Sequence, residues 1–158
     1  MNDHVSSLYA LARKLLNLGM DGSPIYCDCF ARLNREVYEQ ALNLYNNPEG
    51  NTPEEEAGLC LSVLVALNAT FYDNGRKQQY IQHILDRCWN VLGRLPDSLL
   101  KVRLLICCYG EVYEDALLHA ARAIIARWDH DNLSPEQAEA IEELRNIEEN
   151  PYPYEVVE

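Results

Sequence analysis

Glycine is scarce in this chain, with seven residues spread over turns and helix ends, so no glycine-rich phosphate loop and no G-x-S-x-G nucleophile elbow can be built. Histidine is scarcer still. His4, His83, His119 and His130 are scattered among predicted helices, and no spacing sets a carboxylate and a nucleophile beside any of them. There is no H-E-x-x-H, and Asp73, Asp86 and Asp129-x-Asp131 lack the oxygen-rich twelve-residue loop that calcium uses. Cys27-x-Cys29 and Cys107-Cys108 have neither the C-x2-C spacing nor the nearby histidine of a zinc site. These absences leave no catalytic residue, metal ligand or cofactor to assign, and the chain reads as a non-enzyme.

Positive charge is the next shortage. Thirteen Lys and Arg stand against 25 Asp and Glu, and the bases come singly or in pairs such as Arg13-Lys14 and Arg76-Lys77. Ten tyrosines are available for stacking, but no basic groove accompanies them, so direct nucleic-acid binding is not expected. Long apolar runs are missing too. The longest, from Leu59 to Phe71, is about half a spanning helix and is interrupted by Ser62, Asn68 and Thr70, which reads as a core helix and not a membrane segment. Met1-Asn2-Asp3-His4 lacks the basic opening of a secretory signal, so a cytoplasmic protein with six reduced cysteines is expected.

What is abundant is acid, and it is unevenly placed. From Ser134 to Glu158 eight carboxylates face one base, Arg145, a net of −7 out of −12 for the whole chain. A surface of this kind repels nucleic acid and steers proteins. At 158 residues, 48% apolar and 24% charged, the chain suits one folded domain.

Apolar residues recur at three- and four-residue intervals and nowhere alternate strictly, which predicts an all-α protein. Leu8, Leu11, Ala12, Leu15 and Leu16 mark a first helix opened by Asp3 and closed by Gly19. Phe30, Leu33, Val37, Ala41, Leu44 and Tyr45 mark a second. Thr52-Pro53-Glu54-Glu55 sets a hydroxyl cap, proline at the first helical position and glutamate at the third, predicting a helix to about Tyr72. Glu54, Glu55 and Glu56 complement the positive end of its dipole. Asp73-Asn74-Gly75 is its stop, and a fourth helix carries Tyr80, Ile81, Ile84, Leu85, Cys88, Trp89 and Leu92.

Ser98 follows Leu95-Pro96 and starts a helix interrupted at Gly110, after which Val112 to Trp128 keep helical spacing. Ser134-Pro135-Glu136-Gln137 repeats the start signature, with Ala138, Ile141, Leu144 and Ile147 as the inner stripe of a last helix. Glu136, Glu139, Glu142, Glu143 and Arg145 form its outer face. The expectation is a single-domain antiparallel bundle of about seven helices over residues 1–150, either irregular or stacked as helix pairs, followed by an acidic Pro/Tyr-containing tail over 151–158.

Several blocks carry a resemblance along nearly the whole chain. They are Met1-Asn2-Asp3-His4, Leu18-Gly19-Met20-Asp21-Gly22, Glu54-Glu55-Glu56-Ala57 with Asn68-Ala69-Thr70, Leu85-Asp86-Arg87, Leu95-Pro96 with Ser98-Leu99-Leu100-Lys101-Val102, Cys108-Tyr109-Gly110-Glu111-Val112, and Glu148-Glu149-Asn150-Pro151-Tyr152-Pro153. Together they resemble the UpxZ family, encoded near the start of capsular polysaccharide operons in gut Bacteroides beside UpxY, a NusG-like factor. The resemblance implies antagonism of the UpxY-type antiterminators of other capsule loci. In that setting Glu148, Glu149, Tyr152 and Tyr154 are the candidate partner-binding residues, meeting a basic face of a noncognate antiterminator. Three alternatives stay open: a tail that only solubilises, a helical scaffold or adaptor that grips a peptide in a concave groove, and an enzyme, which a buried cluster of Cys27, Cys29 and a histidine in one concave pocket would require. Oligomeric state is not legible.

Overall fold

A computed structural model describes residues 3–17, 28–70 and 75–149. It contains seven helices and, among the described residues, no strand: α1 (Asp3–Asn17), α2 (Asp28–Tyr45), α3 (Pro53–Ala69), α4 (Lys77–Leu92), α5 (Leu99–Val112), α6 (Asp115–Ala126) and α7 (Pro135–Glu149). The all-α expectation therefore holds. No helix among the described residues is long and apolar enough to cross a membrane. The helices form two compact units, Met1–Leu95 and Pro96–Glu158.

The first unit is organised around α3, which packs against α1, α2 and α4. Its sequence explains that position. From Glu56 to Ala69 nearly every residue is buried, and a helix apolar on all sides has no solvent face to offer. Small residues, Ala57, Gly58, Cys60, Ser62 and Ala66, alternate with Leu59, Leu61, Val63, Leu64 and Leu67 and let neighbouring helices approach. The Ser62 hydroxyl donates to the Val5 carbonyl at 3.0 Å, fastening α3 to α1. The other helices show one apolar stripe each: Val5, Leu8, Ala12 and Leu15 on α1; Leu33, Val37, Ala41 and Leu44 on α2; Ile81, Ile84, Leu85, Cys88 and Val91 on α4. Leu16 and Trp89, both assigned to inner stripes by spacing, are instead exposed.

Thr52 caps α3 as predicted, its Oγ1 accepting the Glu55 N–H at 3.1 Å. The Glu55 carboxylate reaches back one residue further than a standard box, accepting the Asn51 N–H at 3.0 Å. The helix ends at Ala69, three residues short of the predicted end. Thr70 turns extended, and its hydroxyl donates to the Leu67 carbonyl at 3.2 Å. Gly75, at a φ of +86°, stands directly before the Arg76 cap of α4 and so does not close α3, and Asp73 and Asn74 lie outside the described residues.

The second unit packs α5 against α6 and α7. Val102, Leu104, Leu105, Ile106, Cys108 and Tyr109 of α5, Leu118, Ala121, Ile124 and Ile125 of α6, and Ala140 and Leu144 of α7 are its buried residues. Ser98 caps α5 by accepting the Lys101 N–H at 3.2 Å. Asp97 accepts from Arg127 at 2.9 Å and lies 3.7 Å from the Lys101 ammonium, tying the start of α5 to the end of α6. The predicted break at Gly110 does not occur, because α5 runs through it. The break falls at Tyr113, in the left-handed region at φ 55°, whose N–H donates to the Tyr109 carbonyl at 2.8 Å while the two rings meet edge to face at 5.6 Å.

Candidate partner-binding surface

The last helix presents the candidate surface, and its start is a full capping box. The Gln137 N–H donates to the Ser134 hydroxyl at 3.1 Å, and the Ser134 N–H donates to Gln137 Oε1 at 2.9 Å. The box fixes the rotation of α7, so Ala140 and Leu144 turn inward, with Ile141 and Ile147 half-buried beside them. Ala138, expected on that stripe, is exposed. Of the predicted outer face, Glu136, Glu139, Glu142 and Arg145 are exposed and Glu143 is half-buried.

The candidate residues divide into three situations. Glu148 is ion-paired across helices, since the Arg122 Nε of α6 donates to its Oε1. Glu149 is exposed, and no ion pair of its side chain occurs among the described residues. Tyr152 and Tyr154 lie outside the described residues. Glu142 is shared with Arg145 at 3.1 Å. The sequence pattern could not show that Glu148 is held, because its partner lies 26 residues earlier on another helix.

Charge also separates the two units. Residues 96–158 carry 14 acids against 5 bases, a net of −9, while residues 1–95 carry 11 against 8, a net of −3. The second unit thus presents a field of one sign to an approaching molecule.

The first unit uses one of its carboxylates differently. Glu56 is buried and takes a bidentate pair from Arg87 of α4, Nε to Oε2 at 2.7 Å and Nη2 to Oε1 at 2.6 Å. The Gly50 N–H also donates to Glu56, at 3.1 Å, and Arg87 Nη1 donates to the Asn47 carbonyl at 3.2 Å. Burial pushes the Glu56 carboxyl up, but the Arg87 bond, the Gly50 N–H and the charges of Arg87 and Arg94 outweigh it and hold it below the ordinary carboxylate value. Gly50 must be glycine here, since a Cβ would stand 2.7 Å from the Glu56 nitrogen.

The groups that chemistry would need are dispersed. Among the described residues no three His, Cys, Asp or Glu side chains come together to hold a metal ion. Cys60, Cys88, Cys107 and Cys108 are free thiols, and the side chains of Cys27 and Cys29 lie outside the described residues. Burial first of all pushes the Cys107 thiol well up, and its neighbours Cys108, Glu111 and Glu143 act in the same direction. His83 packs its ring 5.2 Å from Tyr45, which meets Tyr80 at 4.8 Å. His130 Nε2 bonds the Ile125 carbonyl at 2.9 Å, His119 is exposed, and His4 lines a surface cavity. Asp129 serves a turn: the Asn132 side chain and then the Asp131 N–H donate to it and lower its pKa.

That cavity belongs to a feature the sequence reading passed over. Gln40, Asn43 and Asn47 line it, and Asn47 and Asn51 line the cavity beside it. The available signal was the spacing 43, 47, 51, which runs through what reads as a polar helix end and loop.

Comparison with known proteins gives the arrangement a context. The model of the UpxZ family of transcription anti-terminator antagonists matches residues 5–110. Among solved structures, the chain is similar to a transcription anti-terminator antagonist UpxZ from Bacteroides uniformis ATCC 8492, at 44% sequence identity and a TM-score of 0.87, with 99% of each chain covered. No curated protein matches the chain.

Proposed function

The chain belongs to the UpxZ family of transcription anti-terminator antagonists, and from that membership we propose that it represses capsular polysaccharide transcription by binding noncognate UpxY-type, NusG-like antiterminators directly. The observation that carries this reading is the family match together with 44% identity over 99% of the chain to a solved antagonist. It acts in the cytoplasm as a regulator and not as an enzyme. The net −9 of residues 96–158 supports a partner with a basic face, and the exposed carboxylates of α7 supply the contact. Glu149 contributes an exposed carboxylate, Glu148 contributes through a pair shared with Arg122, and Tyr152 and Tyr154 add aromatic anchors.

A binding assay against a panel of UpxY-type antiterminators, at two salt concentrations and with general NusG as control, tests the reading. Selective binding that weakens with salt is the expected result; binding to none overturns direct antagonism. Removing residues 148–158 should slow association severalfold with the fold intact by circular dichroism. Unchanged binding would remove that end of the chain from the mechanism.

A further inference from the structure

Two adjoining cavities of the first unit have Asn47 as their common wall. The first, of about 380 Å³, lies between the start of α1 and the end of α2, with Leu44 as an apolar base and the side chains of Gln40 and Asn43 beside Asn47. The second, of about 490 Å³, runs along the loop before α3, with Val5 and Leu59 as its apolar base and Asn51 and Glu55 on its edge.

The carboxamides are available. Among the described residues the side chains of Asn43, Asn47 and Asn51 make no hydrogen bond, whereas the neighbouring Asn46, which lines neither cavity, donates to the Leu42 carbonyl at 3.0 Å. A carboxamide offers one acceptor oxygen and two N–H donors, the complement of a peptide group. Gln40, the other amide of the first cavity, is engaged, its Nε2 donating to Glu36 Oε1 at 3.2 Å, which leaves the three asparagines. An extended chain leaves peptide N–H and C=O groups on its edge unpaired, and the carboxamides of such a wall can meet them. The apolar bases then receive the side chains that point inward.

Charge selects among peptides. Glu55 lines the second cavity, and Glu54 beside it is exposed with no ion pair among the described residues. Among the described residues neither cavity is lined by Lys or Arg. A Lys or Arg at that end of a bound segment would find an opposite charge.

We infer that this groove binds an extended segment of the antiterminator, its backbone held by Asn43, Asn47 and Asn51 and a basic side chain placed at Glu55. The inference rests on the direct-binding reading above and adds a second contact to the one on α7.

Overlapping twelve-residue peptides spanning a UpxY-type antiterminator, with peptides of general NusG as control, are titrated into the ¹⁵N-labelled full chain. Peptides carrying Lys or Arg should shift the side-chain NH2 signals of the three asparagines. The Asn43→Ala, Asn47→Ala, Asn51→Ala triple variant should bind those peptides and the intact antiterminator at least tenfold more weakly, at an unchanged melting temperature. If no peptide shifts these signals, or the triple variant binds as the parent does, the groove is not the site. Retained binding of the intact antiterminator by the triple variant would sink the groove and leave direct antagonism standing. No binding of any antiterminator by the parent chain would sink both. The titration uses the unsubstituted protein and so decides the matter even if the variant does not fold.

Discussion

Helices α3 and α7 begin with the same device, a hydroxyl cap followed by proline, and then put their carboxylates to opposite uses. In α3 one acid serves the cap and another the interior. Glu55 closes the cap on Asn51, and Glu56 is buried against Arg87 with a Gly50 N–H on the same oxygen that Arg87 Nη2 reaches. In α7 most of the acids face outward, and Glu148 and Glu142 make surface pairs to Arg122 and Arg145. The difference follows from the apolar pattern behind each cap. A helix apolar on all sides is buried from Glu56 onward, and an acid there must find a cation. A helix with a narrow stripe of Ala140 and Leu144 leaves its acids in water.

The sharpest way to break the comparison is Arg87→Ala. It leaves the Glu56 carboxylate buried without its cation and should cost about 3–5 kcal/mol in urea unfolding, whereas Arg145→Ala on α7 should cost under about 1 kcal/mol. An equal loss for the two would mean that the buried pair does not hold α3 in place.

Acid should reveal the same asymmetry. Because the folded pKa of Glu56 lies below its unfolded value, its contribution is complete above the ordinary carboxylate range and is lost as pH falls through the lowered folded value. Urea midpoints of the parent should therefore fall on acidification more steeply than those of the Glu56→Gln, Arg87→Met double variant. Parallel curves would contradict the assignment.

The smallest effect belongs to the feature the helices share. Ser134→Ala and Thr52→Ala should each lose about 1 kcal/mol, measured by thermal unfolding. A markedly larger loss at Thr52 would show that the α3 cap is coupled to the Glu56 pair.

Much of this architecture was legible in the residues. Thr52-Pro53 and Ser134-Pro135 announced α3 and α7, and three- and four-residue spacing located the stripes of α1, α2 and α4. Glu56 was not separable from Glu54 and Glu55, because a helix without an apolar stripe offers no reference for which acid points inward. The α5 break was assigned to Gly110, but glycine inside a helix costs only about 1 kcal/mol. The chain turns instead at Tyr113, where the ring meets Tyr109 and a backbone bond closes the turn. For the candidate surface, the concentration of acid could be counted from the sequence, while the tethering of Glu148 by Arg122 depends on helix packing that no local pattern encodes. The unused asparagines were invisible for the same reason: an amide in a loop looks identical whether or not it borders a cavity.

The contacts of Arg87 with the Asn47 and Pro48 carbonyls have a consequence for recognition. They anchor the stretch that carries Asn47 and Asn51 to a helix of the core, with Glu56 and Glu55 gripping the Gly50 and Asn51 N–H groups from the other side. A connecting segment of this kind ordinarily loses conformational freedom when a partner arrives, and that loss weakens association. Here much of the ordering is completed during folding, so the stretch has little freedom left to lose.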